Sequence, residues 1–356
     1  MAGGPGGGPP GRPSWRRWRH LLRLAVLGIF AAVLAVVLAR RWGEVRPLLH
    51  SLSVTGVGVA AVAVVAGIYA SFLCWRAVLT DLGSPLPLGG GMRIFFLGQL
   101  GKYLPGSVWP LLAQMELGRD YKVPRRSSGA AVAIFMLLVL GTGLLVAAVA
   151  LPLLGGDALH RYWWVLLILP VAAALLYPPV LNRALATLLR LARREPMPNP
   201  LSLGGVLRAV SWALVMWLLY GIHVWVLARM LGVGGVGLLP RSIGAFAAAW
   251  CVGFLVVIAP AGGGAREAAL IVLLGSGVGA ARATVLAVVS RLLFTIGDLG
   301  WGGVAALAVR RQQRSPEHGS HGTGALGGVR GGASSPPNGT GNRAEITSPK
   351  GPRTHS

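Results

Sequence analysis

Apolar residues along this chain come in blocks of about twenty, separated by short polar breaks. A helix of about twenty residues crosses about 30 Å of hydrocarbon, so each block has the length of a membrane span. The clean blocks are Leu21 to Ala39, Val54 to Trp75, Ser128 to Leu151, Tyr162 to Tyr177, Leu207 to Leu231, Arg241 to Ala259 and Thr284 to Ala308. Two further stretches are apolar but interrupted. Gly91 to Met115 is broken by Gly98, Gly101, Lys102, Pro105 and Gly106, and Ala259 to Val278 by Pro260, Gly262, Gly263, Gly264, Arg266 and Glu267. The pattern predicts an all-α fold, a polytopic transmembrane helix bundle of about seven to eight spans with two broken or re-entrant segments. Residues 1–20 form a basic N-terminal tail, 21–310 the transmembrane domain, and 311–356 a polar Gly-, Ser- and Pro-rich tail with no apolar face to bury, expected to be disordered.

Composition fits that pattern. Of 356 residues, 54% are hydrophobic and 12% charged, half the charged share of an ordinary soluble domain at about 25%. The formal charge of +23 raises nucleic-acid binding as a rival explanation. The Lys and Arg residues, however, lie in the connections between apolar blocks and in the tails, where anionic lipid headgroups are the natural partner. No nucleic-acid partner is expected. Arg16, Arg17, Arg19 and Arg23 precede the first block, which ends at Arg40-Arg41 without a small-residue cleavage site and reads as a retained anchor.

Positive charge also sets orientation. Arg119, Lys122, Arg125 and Arg126, the stretch Arg183 to Arg208, and Arg310, Arg311 and Arg314 predict a multi-pass protein of the cell membrane with both termini cytoplasmic. Arg40, Arg41 and Arg46 fall on the outer side and run against the rule. Seven clean spans break parity for termini on one side, so one interrupted segment must cross while the other, here assigned to Gly91 to Met115, dips and returns. Cys74 and Cys251 lie in apolar blocks, without CxxC or metal spacing, and read as buried thiols.

No P-loop, dinucleotide fingerprint, HExxH or GxSxG occurs. A nucleotide-driven pump or a motif-bearing hydrolase is therefore not expected, nor any cofactor or metal. What remains is a set of polar residues at membrane depth, where each ionisable side chain costs on the order of 3 kcal/mol and asks for a partner or a task. These are Lys102, Glu116, Arg266, Glu267, Arg291 and Asp298, with Gln99 and Gln114. Arg291 and Asp298 share a helix face two turns apart, too far for a direct pair, so each should look to another segment. At Pro105-Gly106 one helix stops and another starts, and at Gly262-Gly263-Gly264 a turn opens a helix carrying Arg266 and Glu267. Free N–H groups at such helix starts suit a phosphate or carboxylate. Paired interruptions in the two halves of a chain point to a transporter site. Plain packing kinks, and a structural Arg266–Glu267 ion pair, are the competing explanations. His223 reads as an interior histidine, and Trp163, Trp164, Trp212, Trp217 and Trp225 as interfacial belts.

The stretch Phe96-Leu97-Gly98-Gln99-Leu100-Gly101-Lys102-Tyr103-Leu104-Pro105-Gly106 with Trp109 resembles the first signature of the flippase-like family named after the transmembrane region of lysylphosphatidylglycerol synthase. Gly253-Phe254 through Pro260-Ala261-Gly262-Gly263-Gly264 to Arg266-Glu267 resembles its second. The likeness spans roughly Leu21 to Arg310. It implies a bundle of about eight helices with re-entrant segments and movement of a charged lipid between leaflets. It also implies that lipid synthesis belongs to an aminoacyl-transferase domain that does not follow here. The expected function is translocation of a lipid or lipid-linked headgroup: an anionic or aminoacylated phospholipid, or a polyprenyl-linked group. The expected binding residues are Gln99, Lys102, Pro105, Gly106, Gly262, Gly263, Gly264, Arg266, Glu267, Arg291 and Asp298. Alternatives from other classes are a non-transporting scaffold or regulator of envelope lipid synthesis, and an intramembrane enzyme using Glu267 or Asp298. Translocation further predicts that Lys102, Arg266, Glu267 and Asp298 converge near the bilayer midplane, with the two halves of the chain inverted relative to each other.

Overall fold

The computed structural model describes residues 42–103, 108–150, 163–191, 193–255 and 264–313. The span expected at Leu21 to Ala39 lies outside them, as do the N-terminal tail and residues 314–356. Eleven α-helices and no strand occur among the described residues. They are α1 Trp42–His50, α2 Val54–Asp81, α3 Leu88–Gln99, α4 Trp109–Leu117, α5 Arg125–Ala150, α6 Leu169–Ala174, α7 Pro178–Leu191, α8 Leu203–Met230, α9 Leu238–Leu255, α10 Ala265–Val278 and α11 Ala280–Gln313. Helix α3 runs into a 3-10 turn, Leu100–Tyr103.

Five of these helices, α2, α5, α8, α9 and α11, are long and apolar enough to cross a membrane. They match five of the seven clean blocks, and most begin a few residues earlier. The block at Tyr162 to Tyr177 is not one continuous helix. A 3-10 turn, Trp163–Ile168, precedes the six-residue α6, with Pro170 at its start removing a backbone donor. At the C-terminal end α11 continues through Arg311 to Gln313, past the expected start of the tail, because no glycine or proline interrupts that stretch. Helices α1 and α7 were not anticipated. Helix α7 is amphipathic: Leu181, Leu185 and Leu189 are buried at a four-residue spacing, while Arg183 and Arg190 are exposed.

Helices α2 and α8, each 28 residues and about 42 Å long, form a central antiparallel seam. Both begin with a serine cap, which satisfies an N–H that the helix cannot. Ser53 accepts from the Gly56 N–H at 3.1 Å, and Ser202 from the Gly205 N–H at 2.9 Å. The seam is tied at both ends. Ser53 meets Met230 Sδ at 3.5 Å, and Asp81 accepts from the Ser202 N–H and Oγ–H, each at 2.7 Å.

Around the seam, the order α2-α3-α4-α5 and the order α8-α9-α10-α11 pack by one scheme. Each has its second helix against its third, its third against its fourth, and its first against both its second and its fourth. Across the halves, α3 packs on α11 as α9 packs on α5, and α2 packs on α11 as α8 packs on α5. Because α2 and α8 are antiparallel, the two sets are related as an inverted repeat. The two interruptions fall at equivalent places, between α3 and α4 and between α9 and α10.

The core is aromatic and small-residue rich. Trp217, expected in an interfacial belt, is instead fully buried and donates to Thr142 Oγ1 at 3.0 Å on α5, where an indole N–H in an apolar interior needs an acceptor. Cys74 and Cys251 are buried free thiols, and Cys251 Sγ lies 3.9 Å from the Leu140 carbonyl of α5.

Candidate functional site

Helices α3, of 12 residues, and α4, of nine, reach about 18 Å and about 14 Å, too short to cross the hydrocarbon singly. They fold against each other as a hairpin. Two glycines permit that approach. A Cβ at Gly98 would overlap the Gln114 side chain, and one at Gly101 would stand 2.9 Å from backbone atoms of Trp109 and Pro110. The equivalent contact in the other half joins α9 to α10, where a Cβ at Gly253 would stand 2.8 Å from Arg266 Cβ. Gly264, at φ +93°, adopts a left-handed conformation natural to glycine and begins α10.

Each hairpin delivers charge to α11. Lys102 Nζ meets Asp298 Oδ2 at 2.7 Å, and the Tyr103 hydroxyl donates to the same oxygen at 2.7 Å. Arg291 Nη1 meets Glu267 Oε1 at 3.3 Å, and the Gly264 N–H donates to Glu267 Oε2 at 2.6 Å. Arg291 and Asp298, too far apart to pair on their own helix, thus each take a partner from a different interrupted segment. They flank Phe294, near the centre of the span Ala280–Ala308. The two pairs share an asymmetry. The carboxylate side chains are 7% and 6% exposed, the cations Lys102 and Arg291 30% and 28%. Negative charge lies behind and positive charge lies forward.

Arg266 does not pair with Glu267. Its guanidinium carbon lies 4.6 Å from the Phe246 ring centre and 4.4 Å from that of Phe294, a cation–π placement for a partly buried cation. It stands within electrostatic range of Glu267, Arg291 and Asp298. Lys102, Arg266 and Glu267 thus all reach the Arg291–Asp298 stretch of α11: Lys102 at Asp298, Arg266 over Phe294 and Glu267 at Arg291. His223 is interior as expected, its Nε2 2.9 Å from Ser290 Oγ and its ring edge-on to Phe246 and Phe294.

Other expectations separate. Glu116, expected at depth, is exposed and bound to Arg119 at 2.7 Å and Arg125 at 3.0 Å, because α4 has already returned to the basic surface by that point. Gln114 is buried against Gly98, and Gln99 is half-buried at the end of α3. Pro105, Gly106, Gly262 and Gly263 lie outside the described residues. Sequence reasoning passed over Tyr103, Tyr220, Phe246 and Phe294, which complete the cluster. For Tyr103 a signal existed, a phenol beside an intramembrane lysine. For the others none did, since an aromatic on a span reads as packing.

No curated protein and no solved structure matches the chain. A sequence profile described as the lysylphosphatidylglycerol synthase TM region matches residues 17–302, a range that holds both interruptions, the charges Lys102, Arg266, Glu267, Arg291 and Asp298, and most of the inverted repeat. By that match over most of its length, the chain belongs to the lysylphosphatidylglycerol synthase transmembrane-region family.

Proposed function

We propose that this protein moves a phosphate-bearing lipid or lipid-linked headgroup between the leaflets of the cell membrane. One observation carries the reading. Two hairpins from inverted halves bring two ion pairs together near mid-span, each with its cation forward and its carboxylate behind. At rest each pair is internally compensated, which lowers the cost of keeping charge at this depth. An arriving phosphate takes up Lys102 and Arg291 in exchange for part of the carboxylate contact. Asp298 keeps its hydrogen bond from Tyr103, and Glu267 its bond from Gly264. The acyl or prenyl chains stay in lipid. In this reading the α3–α4 hairpin and the start of α10 reach the cluster from opposite faces, so the site is reached in turn from either leaflet. The basic end of the bundle is cytoplasmic. With no nucleotide-binding motif, movement runs down a gradient or couples to protons or the membrane potential.

Reconstituted liposomes test this. Labelled anionic, zwitterionic and aminoacylated phospholipids are followed across the bilayer for wild type, Lys102→Ala and Arg266→Ala. Transport of at least one class is expected, falling about 10-fold or more in Lys102→Ala, the loss of a charge-assisted contact. A protein that moves no headgroup class, with variants altered only in stability, makes the ion pairs structural and favours the scaffold reading.

A further inference from the structure

A cavity lies away from the central cluster, at the end of the bundle where α2 finishes and α8 begins. Its volume is about 380 Å³, and three segments wall it: the turn from α2 to α3, the turn entering α5, and the linker before α8. The linker is held in place by Asn182, which bonds the Leu201 N–H and C=O at 2.8 and 3.0 Å, and by the Arg126–Glu195 pair at 2.7 Å.

The lining is rich in donors. Ser84, Lys122, Arg126, Ser127 and Asn199 face the cavity, and no Asp or Glu is among the lining residues. Ser127 is decisive. It is 3% exposed, and its hydroxyl has no hydrogen-bond partner among the described residues. The side chains of Ser84, Lys122 and Asn199 are likewise without a partner there. Helix α5 adds to the field. It is 26 residues long, and the N–H groups of Arg125, Arg126 and Ser127 have no acceptor within the helix, leaving partial positive charge at its start.

From this we infer that the cavity bounded by Ser84, Lys122, Ser127 and Asn199 is an anion site for a tetrahedral phosphate group, separate from the central ion pairs. Lys122 supplies the full charge, Arg126 the remainder of a guanidinium already sharing Glu195, and the Ser127 hydroxyl a donor at the back wall. The phosphate comes either from a lipid headgroup lying at this membrane face or from free inorganic phosphate.

Binding is measured on the full-length protein in detergent by ligand-dependent thermal shift. The probes are inorganic phosphate, dioctanoyl phosphatidylglycerol and dioctanoyl phosphatidylcholine, at matched ionic strength. The proteins are wild type, Lys122→Gln, Ser127→Ala and Lys102→Ala. A concentration-dependent rise in Tm is expected with at least one phosphate probe. The apparent Kd should weaken ~10-fold in Lys122→Gln and ~5-fold in Ser127→Ala. Stabilisation by inorganic phosphate alone assigns the free anion, and stabilisation by the short-chain lipids alone assigns a headgroup. No shift with any probe, or shifts that Lys122→Gln and Ser127→Ala leave intact, overturns the site. Each variant's Tm without ligand reports its folding. A shift lost in Lys102→Ala but intact in Lys122→Gln and Ser127→Ala belongs to the central cluster and rejects this site, so the two sites fail separately.

Discussion

At the scale of single residues, the site is built on compensation. Asp298 is buried and serves both Lys102 and Tyr103, so removing it strands a lysine and a phenol together. Asp298→Ala should therefore lower stability by about 2 kcal/mol, less than a fully buried pair would lose because Lys102 keeps some access. Thermal unfolding of the detergent-solubilised protein measures this. The exchange Lys102→Asp with Asp298→Lys should recover much of the stability while leaving transport impaired, because it puts the carboxylate forward. Recovery of both would mean that only the pairing matters. The charges themselves were legible in the sequence, since ionisable residues in apolar blocks stand out. Their partners were not, because Tyr103 and Asp298 are 195 residues apart, Lys102 one more, and no local spacing records that distance. Arg266 and Glu267 show the limit clearly. Adjacency suggested a pair, yet on a helix neighbouring residues point about 100° apart, and each met a different side chain, Arg266 the Phe246 and Phe294 rings and Glu267 the Arg291 guanidinium.

Among the elements, the hairpin α3–α4 depends on bare backbone. At Gly101 the returning chain passes so close that a Cβ would touch main-chain atoms of Trp109 and Pro110, which cannot rotate away. Gly101→Val should separate the two helices at their tip, costing about 3 kcal/mol by overpacking and displacing Lys102 from Asp298. Gly89→Ala, in open space on α3, is the control and should be near neutral. Unfolding midpoints of the two variants, compared side by side, check the claim. Hydropathy found the long helices because burial in lipid demands twenty apolar residues regardless of context. It missed α7, whose Leu181, Leu185 and Leu189 stripe alternates with arginines and averages out over a long window. It also read Tyr162 to Tyr177 as continuous, since apolar content says nothing about where a proline interrupts the backbone.

For the molecule as a whole, the inverted relation of the two halves was suggested by paired interruptions, but the packing scheme that supports it was not readable. The halves share geometry through glycine placement and helix order, while their side chains have diverged: the basic, Tyr-bearing tip of α3 answers an Arg-Glu tip on α10. Helix α9 belongs to one half and packs on α5 of the other, and Cys251 sits in that contact against Leu140 and Gly143. A thiol buried there is a ready-made gauge of motion. If the halves rock during turnover, the contact must part for some fraction of each cycle. A membrane-permeant maleimide should then modify Cys251 faster when transportable lipid is supplied than when it is withheld, with Cys74, buried on α2, as the internal reference. Equal labelling rates in both conditions would mean that this face stays shut and that movement is confined to the hairpin tips.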